Sequence, residues 1–188
     1  GNALPAGYIE EVSPDIAADD VEYIAALTGP QDLRLSLYVD PRKQDMRFKL
    51  YRQLQDIPLS DALPMMENMG LRVITEHPYR VDGEAGLAWI QEFEVQSLLG
   101  PLDVDALDED FEDAFAAVWR GDAENDGFNR LVLAAGLTWK QVAMLRAYCK
   151  YLLQTGVPFS QSYMEATLAR YPLLSRLLVE LFEARFHP

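Results

Sequence analysis

The sequence predicts an α+β protein: a four-stranded antiparallel sheet with helices, followed by an all-helical segment. Three observations carry this. Strand-like alternation of apolar and polar residues occurs four times between Leu33 and Val95, in two pairs that each surround a polar turn. One helical stretch, residues 60–69, separates the pairs. From Leu102 onward the alternation stops, and apolar residues recur at helical spacing. The expected division is an N-terminal segment with a helix at 1–32, the sheet module at 33–101 and a helical segment at 102–188.

Gly1-Asn2-Ala3 stand where an initiating Met is expected; they read as a scar in front of an excised segment and are set aside. Tyr8, Ile9 and Val12 lead into Ser13-Pro14, which suit an N-cap and a first helical position. Ile16, Asp20, Tyr23, Ile24 and Leu27 then mark the inner stripe of a helix closed by Thr28-Gly29-Pro30. Leu33, Leu35, Leu37 and Val39 form a strand, and Asp40-Pro41-Arg42-Lys43-Gln44 turn the chain into its partner. There Met46, Phe48 and Leu50 alternate with Arg47, Lys49 and Arg52, which predicts one buried and one wet face, with Tyr51 out of step. Pro58 ends the extended run, Ser60 is the expected N-cap, Leu63, Met66 and Met69 share a face, and Gly70 suits C′. Residues 71–81 and 87–95 form a second hairpin around Asp82-Gly83-Glu84-Ala85-Gly86.

In the helical part, Phe111, Phe115, Val118 and Trp119 share one face. Asp108, Glu109, Asp110, Glu112 and Asp113 crowd the first turns of that helix, where its dipole favours anions. A short helix runs from Gly127 toward Gly136, and Thr138 caps a long one with Val142, Leu145, Tyr148, Cys149 and Leu152 as its predicted buried stripe. Ser160 caps the next, with Tyr163, Met164, Thr167 and Leu168 expected inward. Residues 173–186 are apolar on most sides, which predicts burial against other helices or a neighbour, with Leu177, Leu181 and Phe182 as the interface candidates. Trp89, Trp119 and Trp139 are expected in the core.

Composition narrows the function classes. Thirty acidic against 16 basic residues give a formal charge of −14, which argues against nucleic acid or an anionic membrane as partner. No apolar run reaches the roughly 18 residues of a membrane span, and no signal peptide is visible. One cysteine cannot form an internal disulfide, so a cytoplasmic location is expected.

Chemistry is scarce. Gly83 and Gly86 sit in a hairpin, and neither GxGxxG nor GxxxxGK[ST] occurs, so no cofactor site is expected in this chain. His77 and His187 lie far apart, and no metal site is expected. The run Asp122 to Gly127 has the acidic spacing of a calcium loop, but Leu133 stands where its closing Glu belongs, which leaves an acidic helix connection. Cys149, beside Tyr148 and Leu152, reads as a buried, inert thiol. No catalytic residue is assigned.

Several runs carry a resemblance: FKLYR (48–52), PLSDALPMMENMGLRVITEHPY (58–79), AWIQEFEV (88–95), ENDGFNRLVLAAGLTW (124–139) and LARYPLLSRLLVELFEARFHP (168–188). Together they resemble the large multidomain bacterial NAD-specific glutamate dehydrogenases, in the region before the catalytic domain. The resemblance implies an ACT-like, ferredoxin-like ββαββα module followed by helices. It also implies a parent enzyme that oxidises L-glutamate with NAD to 2-oxoglutarate, ammonia and NADH. The substrate-binding lysines and the dinucleotide-binding segment of that family have no counterpart here. A regulatory or assembly role is implied, with other domains and subunits of a homo-oligomer as partners and an amino acid as a candidate effector. ACT modules commonly engage ligands in the loop after the first strand, here Gln53, Leu54, Gln55 and Asp56. That loop lacks glycine and runs into Ile57-Pro58, so assembly is the favoured expectation over amino-acid sensing.

Overall fold

The structure is a computed structural model that describes residues 4–83 and 86–186. They form two compact units, one running up to Ala62 and again from Val73 to Gln96, the other comprising Leu63–Arg72 and the chain from Ser97.

The first unit holds α1 (Ala6–Glu11), α2 (Pro14–Ala25), β1 (Leu33–Val39), β2 (Met46–Gln53), most of β3 (Leu71–Gly83) and β4 (Gly86–Ser97). Ser13 caps α2 by accepting the Ile16 N–H, and Pro14 occupies its first turn. The six residues of α1 are too few to leave a periodic signal, and the sequence shows them only as a lead-in. The sheet is four-stranded and antiparallel in the order β1-β2-β4-β3. Phe48 lies opposite Leu37 and Phe93, and Lys49 opposite Ser36 and Glu92. Edge strand β3 carries Pro78, a residue tolerated where no second neighbour needs its N–H. Of the expected turn after it, Asp82, Gly83 and Gly86 belong to the strands, while Glu84 and Ala85 lie outside the described residues.

The face of β2 expected to be wet is covered. Arg47, Lys49 and Arg52 are all buried. Tyr51, Ile90, Ala88 and Val81 form a core cluster with Tyr8, Val12, Ile24 and Leu27 from the N-terminal helical segment. Arg47 and Lys49 mimic a solvated face in the sequence, yet carboxylates of Asp45, Asp20 and Glu92 satisfy them, while Arg52, on the strand's other face, donates to the Pro30 carbonyl.

Helix α3 (Leu59–Asn68) and the start of β3 carry the chain from the first unit into the second. The helix begins one residue before the expected cap. The Pro58 carbonyl accepts from Asp61 and Ala62, and the Ser60 hydroxyl donates to the Asp61 carboxylate instead of capping. Gly70 follows at φ +88°, and a Cβ there would lie 3.1 Å from both Leu99 and Arg130.

The second unit contains α4 (Asp108–Arg120), a 3-10 turn (Gly127–Arg130), α5 (Leu131–Ala135), α6 (Trp139–Gln154), α7 (Gln161–Arg170) and α8 (Pro172–Phe186). Phe111, Phe115, Phe128, Leu131 and Val132 are buried. Thr138 and Gln141 form a reciprocal capping box, and Ser160 caps α7. Two expectations fail in this unit. Trp119 and Trp139, like Trp89 in the sheet, are half-buried, not core. Tyr148, Leu152 and Tyr163 are exposed, and the buried stripe of α6 is instead Val142, Leu145, Arg146 and Cys149. Among the described residues no helix is long and apolar enough to cross a membrane.

Candidate functional site

The loop after β2 is held shut by its own hydrogen bonds. Leu54 adopts a left-handed backbone with φ +66° although it is not glycine, and its side chain is 58% exposed. The Leu54 N–H donates to the Leu87 carbonyl at 2.9 Å, and the Gln55 N–H donates to the Gln53 carbonyl at 2.9 Å. The Gln53 side chain reaches the Leu27 carbonyl, while Asp56 is exposed. Ile57 N–H is accepted by the Gln91 side chain at 2.7 Å. A ligand carboxylate seeking backbone donors would compete with these bonds.

On the face shared by Lys49 and Tyr51, a buried ionic cluster joins α2 to the sheet. The Lys49 ammonium is 2.7 Å from Asp20, 3.2 Å from the Tyr8 hydroxyl and 3.7 Å from Glu92. Tyr51 donates to the other Asp20 oxygen at 2.5 Å, and Tyr38 donates to Glu92 at 2.9 Å. Arg47 donates to both oxygens of Asp45, which holds the Asp45 carboxyl below its usual value. Burial raises Asp20 above the usual carboxylate range despite the adjacent ammonium, and burial with Asp20 beside it raises the Tyr51 phenol. Tyr38 and Tyr51, with Asp20, Tyr23 and Arg34, border a cavity of about 410 Å³. The sequence did carry a signal of this cluster: Asp20 stood in an apolar helical stripe, and Tyr51 broke the alternation of its strand.

In the second unit the acidic run is tied down by cations of α6. Arg146 binds Asp126 through two nitrogens and the Asn129 amide, Lys150 binds Glu124, and Asp126 also caps the 3-10 turn. Among the described residues no group of three or more His, Cys, Asp or Glu could hold a metal ion. Cys149 is buried and unbridged, and burial raises its thiol pKa, with Glu165 adding to the effect.

An apolar groove of about 440 Å³ lies between α6, α7 and α8. Tyr148, Leu152, Tyr163, Leu178, Leu181 and Phe182 line it. Only Ser175 and Val179 of α8 are buried, whereas Leu177 is 51% and Leu181 66% exposed. Phe182 meets Tyr148 edge-on with ring centroids 5.8 Å apart, and is less exposed than its neighbours. The three interface candidates thus sit on one helix, Leu177 facing solvent and Leu181 and Phe182 along the groove. Such a surface can pack on another apolar surface; the thiol among its lining residues, Cys149, is buried and held in its protonated form by that burial.

Comparison with known proteins agrees on one family. Residues 32–107 match the ACT3 domain of glutamate dehydrogenase, residues 1–27 its helical motif 2 and residues 123–188 its helical motif 3. Proteins named NAD-specific glutamate dehydrogenase from Halomonas elongata, Pseudomonas aeruginosa and Mycobacterium tuberculosis are 42%, 41% and 40% identical to this chain over 100%, 98% and 99% of its length. The chain spans 12% of the length of each.

Proposed function

Because the chain belongs to the NAD-specific glutamate dehydrogenases as one segment of them, we propose that it is a non-catalytic assembly segment of such an enzyme. The parent enzyme oxidises L-glutamate with NAD in the cytoplasm, using residues outside this chain, and the chain packs against other domains and subunits of a homo-oligomer. The exposed leucines of α8 carry this reading. Leu177 and Leu181 present to water the kind of apolar area that a buried interface recovers at about 25 cal/mol per Å². A regulatory, amino-acid-sensing role for Gln53 to Asp56 has less support, since three N–H groups at or beside that loop already have acceptors. The N-terminal segment 1–32, the ACT module 33–101 and the helical part 102–188 then act as one connector within the longer polypeptide.

The test is a Leu177→Asp/Leu181→Asp variant of the full-length enzyme. Sedimentation velocity should show a smaller particle than the unaltered enzyme; an unchanged profile rules the assembly reading out.

A further inference from the structure

We propose that the groove between α6, α7 and α8 receives a single amphipathic helix, apolar on one face and lined with carboxylates on its flank, supplied by another part of the parent polypeptide. The proposal rests on the assembly reading and names the partner chemistry that it requires. Shape and polarity come first. The walls are three helices, and the only charged group among the lining residues is Arg185. A second helix laid along them would cover Tyr148, Leu152, Tyr163 and Leu181 together, the usual geometry of helix-in-groove recognition.

Charge then selects the partner. The chain has 30 acidic and 16 basic residues, yet residues 139–188 hold six basic and three acidic ones, and of those six only Arg146 and Lys150 have an ion-pair partner among the described residues, Asp126 and Glu124. Two of those three acids are engaged locally, Glu165 with Gln161 and Glu183 with Gln141. Arg185 has its guanidinium over the Phe186 ring, and among the described residues no carboxylate lies within ion-pair distance of it. A cation lining an apolar groove with no carboxylate partner among the described residues, in so acidic a chain, is complementary to an acidic flank. A second copy of the same groove fits worse. A twofold pairing would bring two Arg185 guanidinium groups to one apolar seam, where like charges repel. Source chain is ample, since 12% of the related enzymes corresponds to this segment.

The experiment places a benzophenone amino acid at Tyr163, and separately at Tyr148, in the full-length enzyme, with mass spectrometry of the photo-crosslinked peptides. The expected product joins the groove to one helical segment outside this chain, apolar on one face with Asp or Glu beside it. Arg185→Glu should lower that crosslink yield by about fivefold, the effect of roughly 1 kcal/mol at a charged rim. A crosslink to the same groove of a second copy, a segment without flanking acids, no crosslink, or a yield indifferent to Arg185→Glu each overturns the proposal. The two readings separate cleanly. Crosslinking to an acidic helix with unchanged sedimentation of the α8 variant rejects assembly alone; loss of the oligomer with a groove-to-groove crosslink rejects the acidic helix alone.

Discussion

The side-chain amide of Gln91 makes both hydrogen bonds of a strand partner with the backbone of Ile57. It accepts the Ile57 N–H at 2.7 Å and donates to the Ile57 carbonyl at 2.9 Å. Both residues are buried, so no water stands ready to replace either bond. Gln91→Leu keeps the bulk and strands two backbone groups. It should cost about 2–4 kcal/mol, read as a lower urea midpoint with the slope unchanged.

Asp20→Asn tests the ionic cluster. The variant leaves the Lys49 ammonium, fully buried, without its anion at 2.7 Å. A loss of about 3–5 kcal/mol is expected. Replacing both members, Asp20→Leu with Lys49→Met, should recover most of it, because each charge is a burden chiefly when the other is absent. Equal losses in the single and double variants would contradict the pairing.

Acid should weaken the Asp45–Arg47 contact in a defined window. Two hydrogen bonds from Arg47 hold the Asp45 carboxyl below its ordinary value of 3.8, to which it returns on unfolding. The folded state therefore releases that proton more readily. Its contribution is complete above the ordinary value and fades as pH falls through the lower folded one. Melting curves between pH 6 and about pH 2.5 should lose less stability in Asp45→Asn than in the unaltered chain. Asp20, raised by burial, has the opposite sign, favouring the folded state more as pH falls toward its ordinary value.

Leu54→Gly should stabilise. A left-handed backbone costs a side-chain-bearing residue about 1–2 kcal/mol, and the extra freedom of glycine in the unfolded chain offsets about half of that. Leu54 is exposed, so little packing is lost. A rise in melting temperature of a few degrees is expected; a fall would mean that the exposed leucine makes a contact outweighing its backbone strain.

The sheet, its two hairpins and most helix caps were legible because each has a local signal: alternation over seven or eight residues, Ser13 before Pro14, Thr138 three residues before Gln141. What escaped was non-local. Lys49 read as part of a wet face because a strand records only its own alternation, while its partners Asp20 and Glu92 are 29 and 43 positions away in the sequence. The outward rings of Tyr148 and Tyr163 failed similarly, since an apolar stripe says that a surface will be covered and does not say by which chain. Leu54 had no signal, as a leucine at positive φ is set by closure of the loop onto Leu87 and not by its own preference.

Lys49 also makes the first unit a clock. The chain has four lysines, and Lys43 and Lys140 are exposed while Lys150 is partly so. Amine-reactive reagents reach those three in the folded protein, but Lys49 has no accessible surface until α2 leaves the sheet. Its labelling rate is therefore the opening rate of that unit, weighted by how often it recloses before reaction, and one peptide reads it directly.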